Sequence, residues 1–286
     1  MWFGLSIFVT DKSIRPDEVA VEAEARGFDS LWFPEHSHIP ASRETPWGGV
    51  EGAPPLPEMY WHTLDTFVAL TAAAMVTEKL RLGTGITLLA QRDPIWTAKE
   101  VASLDQLSGG RFEFGIGGGW NVEEMENHGA RYNTRFKLMR ERILAMKALW
   151  TQEEAEYHGE MVDFDKVWSW PKPAQKPHPP ILLGGETDYT LRRVVEYCDG
   201  WFPRPRGGFD VVKGVAHLNQ MAEKAGRDPS TITTIVFGAA NDAKALESYD
   251  KAGIQSALLA IPDESRDEIL RYLDKIAPLA KLPLAA

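Results

Sequence analysis

Short apolar runs alternate with longer amphipathic stretches from one end of the chain to the other. Phe3–Val9 reads as a buried strand. A helix follows, with Pro16 in its first turn, Asp17 and Glu18 complementing the positive end of its dipole, and Gly27 as its stop. Ser30–Phe33 is the second strand. The stretch from about Pro34 to His62 is rich in Pro, Gly and aromatics, and a loop that long inside a compact domain is usually a lid or binding loop. Leu64–Met75 is helical and Leu80–Leu88 is the third strand. Asp93–Leu107 forms a helix with Asp93 as N-cap, Pro94 at the first position and Gly109-Gly110 at its end. Phe112–Ile116 is the fourth strand, and the next helix starts only after Tyr132, with Arg135–Trp150 long and amphipathic.

The rhythm then breaks. Glu156–Pro173 reads as a hairpin around His158-Gly159, and a proline-rich connector, KPAQKPHPP, follows. Four more pairs complete the series: strand Ile181–Leu183 with helix Tyr189–Tyr197, strand Trp201–Phe202 with helix Asp210–Ala225, strand Thr233–Phe237 with helix Ala243–Lys251, and strand Ser256–Ala260 with helix Ser265–Ile276. Regular βα alternation implies a parallel sheet. Eight units in somewhat more than about 250 residues predict an α/β fold, a closed (β/α)8 TIM barrel with a hairpin insertion after strand 4. An open doubly wound sheet is the rival, disfavoured because eight repeats close naturally. No polar linker divides residues 1–286 into domains.

The barrel rule places chemistry at the C-terminal strand ends. Strand 2 ends in Glu35-His36-Ser37-His38. Strand 3 carries Gly83, Gly85, Ile86 and Thr87. Strand 4 ends in Gly117-Gly118-Gly119-Trp120-Asn121, strand 5 in Gly184-Gly185, and strand 6 in Pro203-Arg204-Pro205-Arg206. Glycine weakens a strand unless backbone must bend or something must come close, so glycine-marked strand ends point to a flat ligand lying against bare main chain. The Gly115–Gly119 run lacks the spacing, and the helix directly behind it, of a dinucleotide fingerprint. Gly184-Gly185 ahead of a helix, with Arg204 and Arg206 on the next strand end, is a candidate anion site. Glu35 and His36 are the candidate catalytic residues, since an imidazole at a strand end can donate to a ligand or shuttle a proton. The same HxH invites zinc, but further ligands at other strand ends are missing, and no metal is expected. Trp32, Trp47, Trp61, Trp120 and Trp201 fall near the predicted mouth, and an aromatic mouth suits a planar cofactor or an apolar substrate. No Ser-His-Asp order and no GxSxG elbow occurs.

Composition narrows the classes further. The chain has 31 basic and 41 acidic residues, a formal charge of −10, and no basic run, which argues against nucleic acid. The one cysteine, Cys198, allows no internal disulfide and fits a reducing cytoplasm. The apolar start MWFGLSIFV is short and lacks a basic flank, so no signal peptide is expected. No apolar run approaches the roughly 20 residues of a membrane helix. A small-molecule substrate is the expected partner.

The segments RLGTGITLLAQRDP, DQLSGGRFEFGIGGGWNVEE, PKPAQKPHPPILLGG and CDGWFP together resemble the luciferase-like monooxygenase superfamily, and within it the coenzyme F420-dependent oxidoreductases. The resemblance runs from about Phe3 to Arg206 and more loosely to the C-terminus. It implies a (β/α)8 barrel, a non-prolyl cis peptide mapping to Gly85-Ile86 that presses on the deazaflavin ring, and His36 facing the reactive side of the cofactor. It also implies a phosphate site at Gly184-Gly185 and Arg206, and dimers are common among its members. Where sugar-phosphate dehydrogenases of this group carry a glutamate just past the strand 4 glycines, this chain has Trp120, which makes sugar phosphate a poor substrate and leaves the proton donor open. The resemblance implies hydride exchange between reduced coenzyme F420 and an organic substrate. The alternatives are reduced FMN activating O₂ in a monooxygenase, and a non-catalytic flavin-binding barrel.

Overall fold

The computed structural model describes residues 1–281. Chain order runs β1 (Trp2–Ser6), α1 (Pro16–Ala25), β2 (Ser30–Phe33), α2 (Met59–His62), α3 (Thr66–Val76), β3 (Arg81–Thr84), β4 (Thr87–Leu88), α4 (Pro94–Leu107), β5 (Phe112–Gly117), α5 (Val122–Asn127), α6 (Arg135–Thr151), β6 (Ala155–His158) and β7 (Asp163–Val167). It continues with β8 (Ile181–Gly184), α7 (Asp188–Tyr197), β9 (Gly200–Phe202), α8 (Val211–Lys224), β10 (Thr233–Ala239), α9 (Ala243–Lys251), β11 (Ser256–Ala260) and α10 (Arg266–Ile276). Nine strands lie in the order β3-β2-β1-β11-β10-β9-β8-β5-β4, and β3 also pairs β5, which closes the ring. Every pairing in it is parallel. β3 and β4 are two halves of one stave, so the barrel has the expected eight. The antiparallel β6–β7 hairpin sits between staves four and five, where the broken rhythm placed it.

Two expectations need correction. Leu80–Leu88 is not one strand: the ladder stops at Thr84, resumes at Thr87, and the Gly85–Ile86 peptide between them is cis. The chain also does not wait until Tyr132 to turn helical. Asn121 caps α5, its side chain accepting from the Glu124 N–H, and this short helix carries a site residue. The expected cap of α4 holds: Asp93 accepts from the Trp96 N–H at 2.8 Å.

Strand alternation divides the core. On β2, Leu31 and Phe33 face the helices, in the large outer cluster with Phe67, Leu70 and Phe112. Trp32 points the other way, into the barrel, with Leu182, Phe202, Ile235 and Leu258. The interior is therefore packed, and the ligand space lies above it. Trp32 is fully buried, a plug beneath the mouth rather than part of it. Gly83 lies beside Trp32 in register, and a Cβ there would stand 2.2 Å from the indole. That glycine makes room for Trp32, not for a ligand. Trp201 is buried too, its indole N–H donating to the Gly185 carbonyl at 2.8 Å.

α3 carries no charged residue in eleven, and its Val68 and Met75 are exposed, as is Trp96 on neighbouring α4. No described helix is long and apolar enough to cross a membrane.

Gly83→Ala overpacks the barrel interior. Overpacking of this kind costs about 1–3 kcal/mol, so denaturant unfolding is expected to show a loss of that size. An unchanged midpoint would mean that Trp32 does not occupy the place described.

Candidate active site

The break in stave three is held from both sides. The Gly85 N–H donates to the Phe33 carbonyl at 2.8 Å, and the Thr84 hydroxyl to the Gly115 carbonyl at 2.6 Å. Beyond the break, the Leu88 N–H donates to Glu35 Oε2 at 2.7 Å, while Arg92 Nε donates to Glu35 Oε1 at 2.6 Å. Arg92 also meets Glu100 at 2.6 Å and Asp65 at 3.4 Å. Burial pushes the Glu35 carboxyl above its ordinary range, opposed by Arg92 and the Leu88 N–H. Both Glu35 oxygens are thus committed to scaffolding. The expectation that Glu35 is catalytic gives way to a structural role, because a buried carboxylate must be matched and this one is.

His36, the next residue, faces the cavity. Its Nδ1 lies 2.9 Å from Glu124 Oε2, and Glu124 is fully buried. With Glu124 accepting, Nδ1 is the donor of this bond and Nε2 is left as the ring's other hydrogen-bonding atom. Glu124 Oε1 has no partner among the described residues. Sequence reasoning missed Glu124. The signal was the WNVEE segment: the carboxylate arrives four residues after Trp120, once α5 has formed.

The cavity measures about 700 Å³ and has two unlike ends. Glycines line much of it. A Cβ on Gly117 would strike Ile86 Cδ1 at 1.9 Å and one on Gly118 would meet Phe136 at 2.7 Å, so these two make room for neighbouring side chains as Gly83 does, and Gly119 has φ +73°. Gly85, Ile86, Gly117, Gly118, Gly119 and Trp120 all line it. Thr87 and Asn121 do not. Both are fully buried; Thr87 belongs to the barrel wall and Asn121 to the cap of α5.

One end of the cavity is aromatic. Tyr60 packs on Phe8 at 4.6 Å between centroids and on His36 at 5.1 Å, and Trp120 stands edge-on to His36 at 5.9 Å. Tyr60 and Trp47 come from the long loop. That loop is clamped to α5 by Glu123, which accepts from the Glu44 N–H at 2.8 Å, the Thr45 N–H at 3.0 Å and the Thr45 hydroxyl at 2.6 Å. Against some desolvation, these donors lower the Glu123 carboxyl to about 2. Trp61 is half exposed and lies outside the cavity wall.

The other end is cationic, and Arg204 and Arg193 both line the cavity. Gly184, Gly185, Thr187 and Thr190 line it at the start of α7. Arg204 is spoken for: Glu186 receives its Nε at 3.0 Å, its Nη2 at 3.1 Å and its backbone N–H at 3.0 Å. Arg206 is exposed, outside the cavity wall, against Gly48 of the loop. The available cation is Arg193 of α7, which lines the cavity with its guanidinium 4.0 Å over the Phe136 ring. Arg135 stacks near the same ring, 4.4 Å away, with its Nε buried and unpartnered. Neither has a carboxylate partner among the described residues.

A model of the luciferase-like monooxygenase family matches residues 15–277. The chain belongs to the luciferase-like monooxygenase family. An uncharacterized protein of Mycobacterium tuberculosis is 38% identical over 280 residues, which span 97% of this chain and 98% of the relative. Among solved structures, a monooxygenase from Streptomyces bottropensis superposes with a TM-score of 0.76 at 20% identity, covering 97% of this chain and 98% of its own. The coenzyme F420 dependent tetrahydromethanopterin reductase of Methanopyrus kandleri does so with 0.70 at 17%, covering 97% and 99%. These two are likenesses of fold. As a luciferase-like protein, the chain is an oxidoreductase-type enzyme. The site fits the flavin or deazaflavin that such barrels carry. Gly85, Ile86 and Gly117–Gly119 line one wall, and the Arg193 guanidinium, with no carboxylate partner among the described residues, lines the cavity together with Gly184, Gly185, Thr187 and Thr190 at the start of α7.

In this luciferase-like barrel the Glu123 clamp has a depressed carboxyl, so its stabilisation is complete above the ordinary carboxylate range and is lost as pH falls through about 2. Glu123→Ala removes it at every pH. Limited proteolysis at neutral pH is expected to cut the variant faster between residues 40 and 50. Equal cutting rates would show that the loop is held by something else.

Proposed function

We propose that this protein exchanges a hydride between reduced coenzyme F420 and an organic carbonyl compound, with His36 as the proton donor. The observation that carries the reading is the cavity with two unlike ends: a guanidinium beside a helix N-terminus at one, and an imidazole on a buried carboxylate at the other. A phosphorylated tricycle spans two such ends, and a simple apolar ligand would leave the cationic end without a partner.

Reduced F420, when bound, supplies the hydride. The chain's own residues do the rest. Gly184, Gly185, Thr187, Thr190 and Arg193 hold the phosphate end, with backbone N–H groups, hydroxyls and charge acting together. Ile86 and Gly117–Gly119, which line the cavity together, seat the ring, and Gly117 leaves space for Ile86 to project. Glu124 fixes the His36 ring and stabilises the imidazolium, so that the Nε2 proton is held for a substrate oxygen. Tyr60, Trp120 and Phe8 keep water from that oxygen. The FMN-dependent oxygenase reading rests on the same phosphate end and glycine-lined seat, which serve a flavin as well as a deazaflavin. The His36–Glu124 pair favours F420, because delivery of a proton at a fixed atom is what reduction of a carbonyl requires. The apolar outer face of α3 and α4 is the surface on which a second copy would pair.

Titration with F420 and with FMN, followed by cofactor fluorescence, tests the reading. Micromolar or tighter binding of F420 is expected. Arg193→Ala should weaken it about 10- to 100-fold, the worth of one charged hydrogen bond, whereas Arg204→Ala should not. His36→Ala should lower kcat by about 10²–10⁴-fold with cofactor affinity nearly unchanged. Failure of both cofactors to bind, or full turnover without His36, would reject the proposal.

A further inference from the structure

The aromatic end of the cavity has a chemistry of its own, separate from cofactor binding. Phe8, His36, Tyr60, Trp120 and Phe237 line it, drawn from the ends of four different staves and from the long loop. Every charge near it is committed or lies outside. Glu35 is tied to Arg92 and the Leu88 N–H, and Glu124 lies behind His36. Glu123 is used by the loop and Glu186 by Arg204. Arg43 already covers Trp120, 5.6 Å from its ring centroid. Arg206 lies outside the wall, against Gly48.

Three ligand classes can be weighed against that inventory. A cation would gain from the ring faces. However, Arg43 has taken the Trp120 face, and the carboxylates nearby, Glu35, Glu123, Glu124 and Glu186, already have partners. A carboxylate would meet negative ring faces, with a second carboxylate, Glu124, behind the imidazole. A neutral flat molecule meets neither obstacle. It stacks on rings and needs only as many hydrogen bonds as the wall offers. The wall offers few: among its side chains only the Tyr60 hydroxyl, the Trp120 indole and the His36 ring can hydrogen-bond, and of these His36 is the one backed by a carboxylate, Glu124.

We infer that the substrate is an uncharged, planar, conjugated ketone, its ring against the Phe8–Tyr60–Trp120 wall and its one oxygen on His36. The inference rests on the hydride-transfer reading for the role of His36, but its recognition rule concerns the aromatic end alone. It makes Tyr60, a loop residue, the determinant of substrate class.

Calorimetry on the full chain, with and without saturating oxidised F420, tests it with three probes of similar size: chromone, chromone-2-carboxylate and phenyltrimethylammonium. Chromone should bind, and the carboxylate and the ammonium should each bind at least about tenfold more weakly, as expected when a charge enters a site with no partner for it. Tyr60→Ala should weaken chromone about two- to tenfold through the lost ring contact, and Tyr60→Leu, which keeps bulk, should weaken it too. Trp61→Ala, outside the wall, should not. His36→Phe should also weaken chromone while leaving F420 affinity intact. The inference is overturned if chromone fails to bind, if either charged probe binds as well as chromone, or if chromone affinity ignores Tyr60 and His36. F420 binding without this pattern would sink the substrate class and spare the cofactor reading. The pattern without F420 or FMN binding would sink the cofactor reading and leave the ligand class standing.

Discussion

A carboxylate sealed in a protein interior has to be matched by donors, and at the mouth of this barrel that carboxylate is Glu35. Its two oxygens take the Leu88 N–H from one stave and the Arg92 guanidinium from the start of the next helix. Those two bonds fix where the chain resumes after the Gly85–Ile86 break, and so where Ile86 projects over Gly117. They also fix the backbone of the residue that follows Glu35, which is His36. The seat for a ring and the imidazole that would act beside it are positioned by one buried acid. Arg92 is shared with Glu100 and Asp65, so the arrangement is a network, and removal of one member leaves buried charge unpaired.

The same economy of charge explains the rest of the mouth. Four carboxylates stand near it, and each has a job that removes it from solution chemistry: Glu35 holds a stave, Glu123 a loop, Glu124 an imidazole and Glu186 an arginine. What is left unmatched is a cation at one end, Arg193 with Arg135 behind it, and a neutral aromatic wall at the other. An acidic protein of charge −10 thereby keeps a local site for an anion. The cavity's polarity follows from which charges are used up rather than from which residue types line it.

Much of this was legible in the sequence. Eight βα units, the hairpin, the Asp93-Pro94 helix start and the glycine-marked staves follow from local rules of periodicity and capping, and the barrel rule then picks the strand ends. The parts that were not legible depend on pairings between distant residues. Arg204 looked available until Glu186, 18 positions away, was seen to hold it. Glu35 looked catalytic until Leu88 and Arg92 met it from 53 and 57 positions away. Gly83 looked like a ligand contact, whereas its neighbour across the ladder is Trp32. Arg193 sits inside a helix, where a strand-end rule does not look. Asn121 was found at the right place with the wrong role, because a six-residue helix leaves a weak periodic signal.

The account stands on an anionic tail meeting Arg193 while a flat ring lies along the wall of Ile86 and Gly117–Gly119. Crystals grown with F420 test this directly. The expected density places the ring against Ile86 and the phosphate within hydrogen-bonding distance of Arg193 and the Gly185 N–H. Density that puts the phosphate on Arg206, or a mouth that stays empty at saturating F420 and FMN, would contradict it.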